Sequence, residues 1–217
     1  IITNLSAIIG TLNYLGNIEI LTDGWFSLWT QHTLFLSYFF MPVIIAVFTG
    51  CIWRFEHSGT NINIILTHTT PAKIVISKYF ASISITMLSI IWVALLYIIA
   101  GIICKIDGRL PEELGLWLFL GCIASFSICA LHLFLALVIR NFILPVIIAF
   151  AGGIAGLACM AKFSPYILPY SLFDIAMTEN NSNIRYDYFF ISSVIFIIAF
   201  LLASILYLKY TDSKSYE

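Results

Sequence analysis

Charge is what this sequence has least of. Its 217 residues include 10 Lys and Arg and 11 Asp and Glu, so 10% are charged, against about a quarter in an average soluble domain. Hydrophobic residues make up 61% and the mean hydropathy is +1.03. So little charge excludes an ordinary soluble surface, and the chain reads as an integral membrane protein. With a net charge of −1 and no basic run, there is no footprint for nucleic acid. Cys51, Cys104, Cys122, Cys129 and Cys159 fall inside or at the ends of apolar stretches with no C-x-x-C pair. That spacing offers neither a disulfide framework nor a zinc site, and leaves them as small apolar packers. H-E-x-x-H, G-x-S-x-G and G-x-x-x-x-G-K-[ST] are also missing, so no zinc protease, serine hydrolase or nucleotide-phosphate site is drawn.

What is present is apolar length. A hydrocarbon core of about 30 Å needs about 20 helical residues. Windows free of Asp, Glu, Lys and Arg run over 34–53, 79–104, 114–139, 141–161 and 188–208, giving five complete spans. The opening run IITNLSAIIGTLNYL, 1–15, is too short to cross alone and reads as the tail of a sixth span whose start precedes Ile1. A cleaved signal peptide is the rival reading, against which stands the lack of a basic n-region. The expected fold is all-α, one polytopic membrane domain over 1–217 with six transmembrane helices, the first truncated.

Orientation follows from Lys and Arg, which concentrate in short cytoplasmic loops. With the 54–78 hairpin inside, the inner side holds Arg54, Lys73, Lys78, Arg140, Lys209 and Lys214. The outer side then holds Lys105, Arg109, Lys162 and Arg185 among eight acids that include Asp174. This places both termini in the cytoplasm.

The connections carry the remaining information. Gly16 to Gln31 reads as an outer connection whose Trp25, Phe26 and Trp29 anchor the next span in the headgroup layer. Pro42 deletes a backbone hydrogen bond and is expected to kink its helix. In the hairpin, Ser58, Gly59, Thr60 and Asn61 suit a turn or cap. Asn61 to His68 reads as a short helix lying along the membrane, its surface made apolar by Ile62, Ile64, Ile65 and Leu66. Thr70-Pro71 looks like an N-cap followed by Pro at the first helical position. Gly152, Gly153 and Gly156 permit close helix approach, within the chain or to a second subunit. The stretch KFSPYILPYSLFDIAM is too broken for a straight span and too apolar for a solvated loop, so it reads as an outer-leaflet helix or re-entrant segment. His132 stands as the ionisable side chain in mid-span, either functional or hydrogen-bonded to a neighbouring helix. With the carboxylates assigned to connections, no intramembrane proton relay can be drawn, which argues against ion-coupled transport.

Glu56-x-x-Gly59-Thr60, then Leu66, Pro71 and Lys78, in a cytoplasmic hairpin after the second of six spans, resembles the type 2 ABC permease family. The resemblance implies that Asn61 to His68 is a coupling helix seated in a cleft of a separate ATPase subunit. Glu56, Gly59, Thr60, Asn61, Ile64, Ile65, Leu66, Pro71 and Lys78 would then be the ATPase-coupling residues. No cofactor would bind this chain; ATP and Mg would sit on the partner ATPase, present in two copies beside a second permease, identical or homologous. The compact size and SPYILPYSLF are similar to permease subunits of lantibiotic and bacitracin-type immunity transporters in bacteria. Glu56 as a helix-end carboxylate paired with Arg54 or Lys78, Gly59-Thr60 as a plain turn, Pro71 as a plain helix start and Lys78 as a snorkelling cation remain the alternatives.

The expectation is therefore a non-enzymatic permease subunit of a multi-subunit ABC exporter in a bacterial cell membrane. Its cargo would be an amphipathic, cationic peptide antibiotic taken from the membrane lipid, for self-protection. A stand-alone immunity protein that binds such a peptide without any ATPase is the alternative from another class.

Overall fold

The structure, a computed structural model, describes residues 1–54, 56–57, 68–178 and 184–214. Those residues are all-helical, with no strand among them. Helix α1 is Ile2–Gly16. Helix α2 is Trp25–Arg54, built from Trp25–Phe35, a π-helical turn Leu36–Phe40, and Met41–Arg54. Then come α3 (Pro71–Ile103), α4 (Leu114–Val138), α5 (Ile143–Lys162), the short α6 (Pro169–Met177) and α7 (Tyr186–Lys214). Five of these, α2, α3, α4, α5 and α7, are long and apolar enough to cross a membrane.

Successive spans run in opposite directions, giving the bundle two ends. At the hairpin end Arg54, Ile139 and Ile143 line one cavity, and Lys78 of α3 reaches Ile52 of α2. Helix α4 is the hub, packed by α7, α6, α2 and α3, and its small residues Ala124, Ser125, Ala130 and Ala136 are buried. Small side chains let neighbouring backbones approach, which is what drives helix packing where lipid is as apolar as the protein. The outward faces of α3, α5 and α7 keep Ile91, Ile147, Ile195 and other large apolar side chains exposed, as a lipid-facing surface requires.

The second span starts earlier than the window 34–53 suggests. Trp25, Phe26 and Trp29 belong to the first turns of α2 rather than to a surface connection. Gly24, at φ 52, turns the chain into the helix. Trp25 and Trp29 are buried, not anchored among headgroups. The Trp29 ring stacks on Trp117 with centroids 5.5 Å apart and meets Tyr97 edge-on at 5.0 Å. Trp25 also meets Tyr97 edge-on, at 5.5 Å, and lies where a side chain on Gly101 would otherwise stand. Two donors of this cluster find carbonyls, Trp29 Nε1–H to Met177 O at 2.9 Å and Tyr97 O–H to Trp25 O at 2.8 Å, while Trp25 Nε1 has no partner among the described residues. The aromatics thus rivet α2 to α3, α4 and α6.

Candidate functional site

At the hairpin end, α2 and α3 are joined by a clamp. Thr70 is extended (φ −80, ψ 148) and Pro71 opens α3, which fixes the angle at which the helix leaves the hairpin. Two turns on, the Lys78 ammonium bonds the Glu56 carboxylate and donates to Ile52 O at 2.9 Å. It also lies 4.7 Å from the centre of the Trp53 ring. Both charged side chains are largely buried, at 13% and 15% exposure, so water screens this pair less than a surface pair. The same end of α2 is tied to α4. Trp53 Nε1–H donates to Leu133 O at 3.1 Å, and His57 Nε2 bonds Ala136 O at 2.8 Å. These carbonyls lie in the last turns of α4. Beside the clamp is a cavity of about 510 Å³ whose lining includes Arg54, His57, Arg140 and Phe142.

Among the residues assigned to ATPase coupling, the structure therefore brings together Glu56, Lys78 and the helix start at Pro71. Gly59, Thr60, Asn61, Ile64, Ile65 and Leu66, with most of the expected coupling helix, lie outside the described residues.

The second polar constellation surrounds α6. All nine residues of Pro169–Met177 are buried, between α4, α5 and the π-helical turn of α2. Room for it comes from the glycines of α5. A Cβ on Gly152 would fall 2.3 Å from the Tyr170 ring, and one on Gly156 would fall 2.7 Å from Asp174 Oδ2. Gly153 meets a backbone: its Cβ would be 1.9 Å from Tyr38 O. That carbonyl would normally accept from the N–H of residue 42, but residue 42 is proline and has none. Pro42 and the π turn thus turn Tyr38 O outward, and Gly153 is the residue small enough to face it. The close approach these three glycines allow is made within the chain.

His132, on α4, accepts or donates through Nε2 to the Tyr170 hydroxyl at 2.9 Å. It is completely buried. It is not alone as an ionisable group in the spans, for His32 lies buried in α2, bonded by Nε2 to Thr11 Oγ1 at 2.9 Å. The window 34–53 passed over His32, although the charge-free run continues back to Gly24. A further correction concerns Asp174. Assigned from sequence to the outer connections, it is fully buried, and neither carboxyl oxygen has a hydrogen-bond partner among the described residues. Its signal in the sequence is its isolation: it is the one charged residue from Phe163 to Thr178.

Chemically, neither constellation assembles a nucleophile with a base, and no group of three His, Cys, Asp or Glu among the described residues could hold a metal. The hairpin end ties α2 to α3 and to α4, and the α6 region packs a short, largely apolar helix with one buried acid into the bundle. No curated protein and no solved structure matches this chain. A family model described as ABC-2 family transporter protein matches residues 1–156, and with most of its 217 residues so matched the chain belongs to the ABC-2 transporter family.

Proposed function

We propose that this ABC-2 permease is the membrane subunit of an exporter driven by a separate ABC ATPase, with the hairpin end in the cytoplasm as the docking end. The observation that carries the reading is the clamp. Glu56 and Lys78 lock the start of the hairpin to the first turns of α3, and Trp53 and His57 lock it to α4. A push on the hairpin by a closing ATPase would then reach three spans at once instead of bending one loop. In this reading ATP and Mg sit on the partner ATPase.

Two ATPase copies and a second permease, identical or homologous, complete the assembly in this reading. The cargo is an amphipathic peptide drawn from the membrane, of the lantibiotic kind, and the role is self-protection of a bacterium. The broad apolar faces of α3, α5 and α7 suit a cargo that stays in contact with lipid better than one that crosses in water.

The test is to tag the chain, extract it in mild detergent and identify what co-purifies by mass spectrometry. An ATPase bearing a P-loop, recovered in fixed proportion and lost when residues 61–68 are deleted, is the expected result. Retention of peptide resistance after that deletion would sink the coupling role. A clean preparation that still protects cells would favour the stand-alone immunity protein instead.

A further inference from the structure

The Asp174 carboxyl is left unexplained by the transport role. It stands on α6, completely buried, with both oxygens unpartnered among the described residues and outside both of their ion pairs. Among the described residues no cation bonds it. From α5 it meets Gly156, and Lys162, less than two turns further on at the C-terminal end of that helix, is exposed. From α2 the π turn that carries Tyr38 packs against α6. On α4 the nearby ionisable group is His132, held by Tyr170 and with Nδ1 likewise unpartnered. From α7, Asp187 and Arg185 before it are exposed and paired with each other at 3.2 Å.

A carboxylate in such a place loses its hydration and gains nothing in return, so the neutral acid is the form that fits. Burial accordingly pushes the Asp174 carboxyl well above the usual carboxylate range. A structural role explains the residue poorly. Buried polar groups that hold a fold together keep partners, whereas an apolar residue of this size would pack here without leaving any group unsatisfied. The packing that excludes water is also smooth. On the α5 side it rests on Gly152 and Gly156, which have no side chains to interdigitate with α6.

We propose that Asp174 is a proton-binding site controlled by the packing of α6: the carboxyl holds a proton while α6 lies against the glycine face of α5. When α6 moves off that face the O–H bond breaks, the proton passes to water, and the carboxylate left behind becomes an anionic group in a greasy wall. The linkage has a definite sign. The packed arrangement binds the proton more tightly than the open one, so it is favoured at low pH and loses that advantage as pH rises through the packed-state value. The proposal depends on neither the cargo nor the ATPase.

Two measurements on the full chain in detergent test it. The first compares thermal unfolding of wild type with Asp174→Asn, which keeps the shape and cannot ionise, from about pH 5 to about pH 10, a range lying above the ordinary Asp value of about 3.9. The expected result is a wild-type midpoint that falls relative to the variant as pH rises. The second treats wild type with dicyclohexylcarbodiimide, which adds to protonated carboxyls in apolar surroundings, and maps the adduct by peptide mass. Label on Asp174 at neutral pH, lost in alkali, is expected. A difference between wild type and variant that does not change with pH, or no label at neutral pH, would overturn the proposal. Should Asp174→Asn fail to fold, the labelling of wild type decides alone.

Discussion

The two polar regions of this membrane protein treat their charges in opposite ways. At the hairpin end Lys78 has a carboxylate, a carbonyl and an indole face, Glu56 has Lys78, and His57 has a carbonyl of α4. Around α6, neither oxygen of Asp174 has a partner among the described residues, whereas Glu56 leaves one oxygen unpartnered; His57 and His132 each keep Nδ1 idle. Paired charge in a low-dielectric setting makes a joint that resists separation, because breaking it strands an uncompensated ion. Unpaired ionisable charge does the reverse, since its free energy improves when water reaches it. The hairpin end is therefore built to move as one piece, and the α6 region to have a second arrangement within reach.

The sharpest way to break this contrast is to fill the space that α6 and the π turn depend on. Gly153→Leu would drive a side chain into a backbone carbonyl, which cannot rotate away as the Tyr170 ring can. Destabilisation of about 3 kcal/mol, at the upper end of what overpacking costs, is expected, read as lost monodispersity and a lowered melting midpoint in detergent. Gly115→Ala is the control, since no atom lies within 4 Å of its Cβ position, and it should stay within about 0.5 kcal/mol of wild type.

Next in size is the clamp. Glu56→Gln and Lys78→Met should each cost about 1–3 kcal/mol, the range for stranding a buried charge-bearing partner. The double variant should cost less than the sum of the two, and a double-mutant cycle measures the difference. Additive effects would show that the pair does not act as a joint. If the proposed coupling holds, each single variant should also uncouple ATP hydrolysis by the co-purified complex from peptide export, while Gly115→Ala should not.

How far the sequence discloses these regions depends on the kind of signal. The spans are legible because lipid demands about 20 apolar residues in a row, and the chain obliges with charge-free windows. The clamp is half legible: Glu56 and Lys78 stand out as rare charges, but the bonds of Lys78 to Ile52 O and of Trp53 to Leu133 O end on backbone carbonyls that no side-chain pattern announces. The burial of Asp174 is barely legible: its isolation in an apolar, proline-broken stretch is a signal, but a stretch read as an outer-leaflet helix or re-entrant segment does not say which side of it is covered. It follows only once Gly152 and Gly156 are known to face Tyr170 and Asp174 across the fold. Trp25 and Trp29 mislead for a related reason. Tryptophan near a span end suits the headgroup layer and a wet core equally, and the deciding facts are Gly101 and Met177 O, both distant in sequence.

The smallest expected effect separates packing from hydrogen bonding in the aromatic cluster where the end of α6 meets α2. Trp29 touches Trp117 and Tyr97 with its ring and reaches Met177 O, at the end of α6, with its N–H. Trp29→Phe keeps an aromatic ring in the cluster and removes the donor, so it should cost about 1 kcal/mol for the lost hydrogen bond plus a small packing loss. That bond ties the end of α6 to α2, whereas the Ser171 bonds to Pro165 O and Leu168 O are local. Its loss should therefore appear less in global melting than in the amide hydrogen exchange of 169–177, which should quicken while that of 71–103 stays unchanged. Equal acceleration in both stretches would mean that α6 opens only with the whole bundle, and the contrast between a joined end and a separable segment would fail.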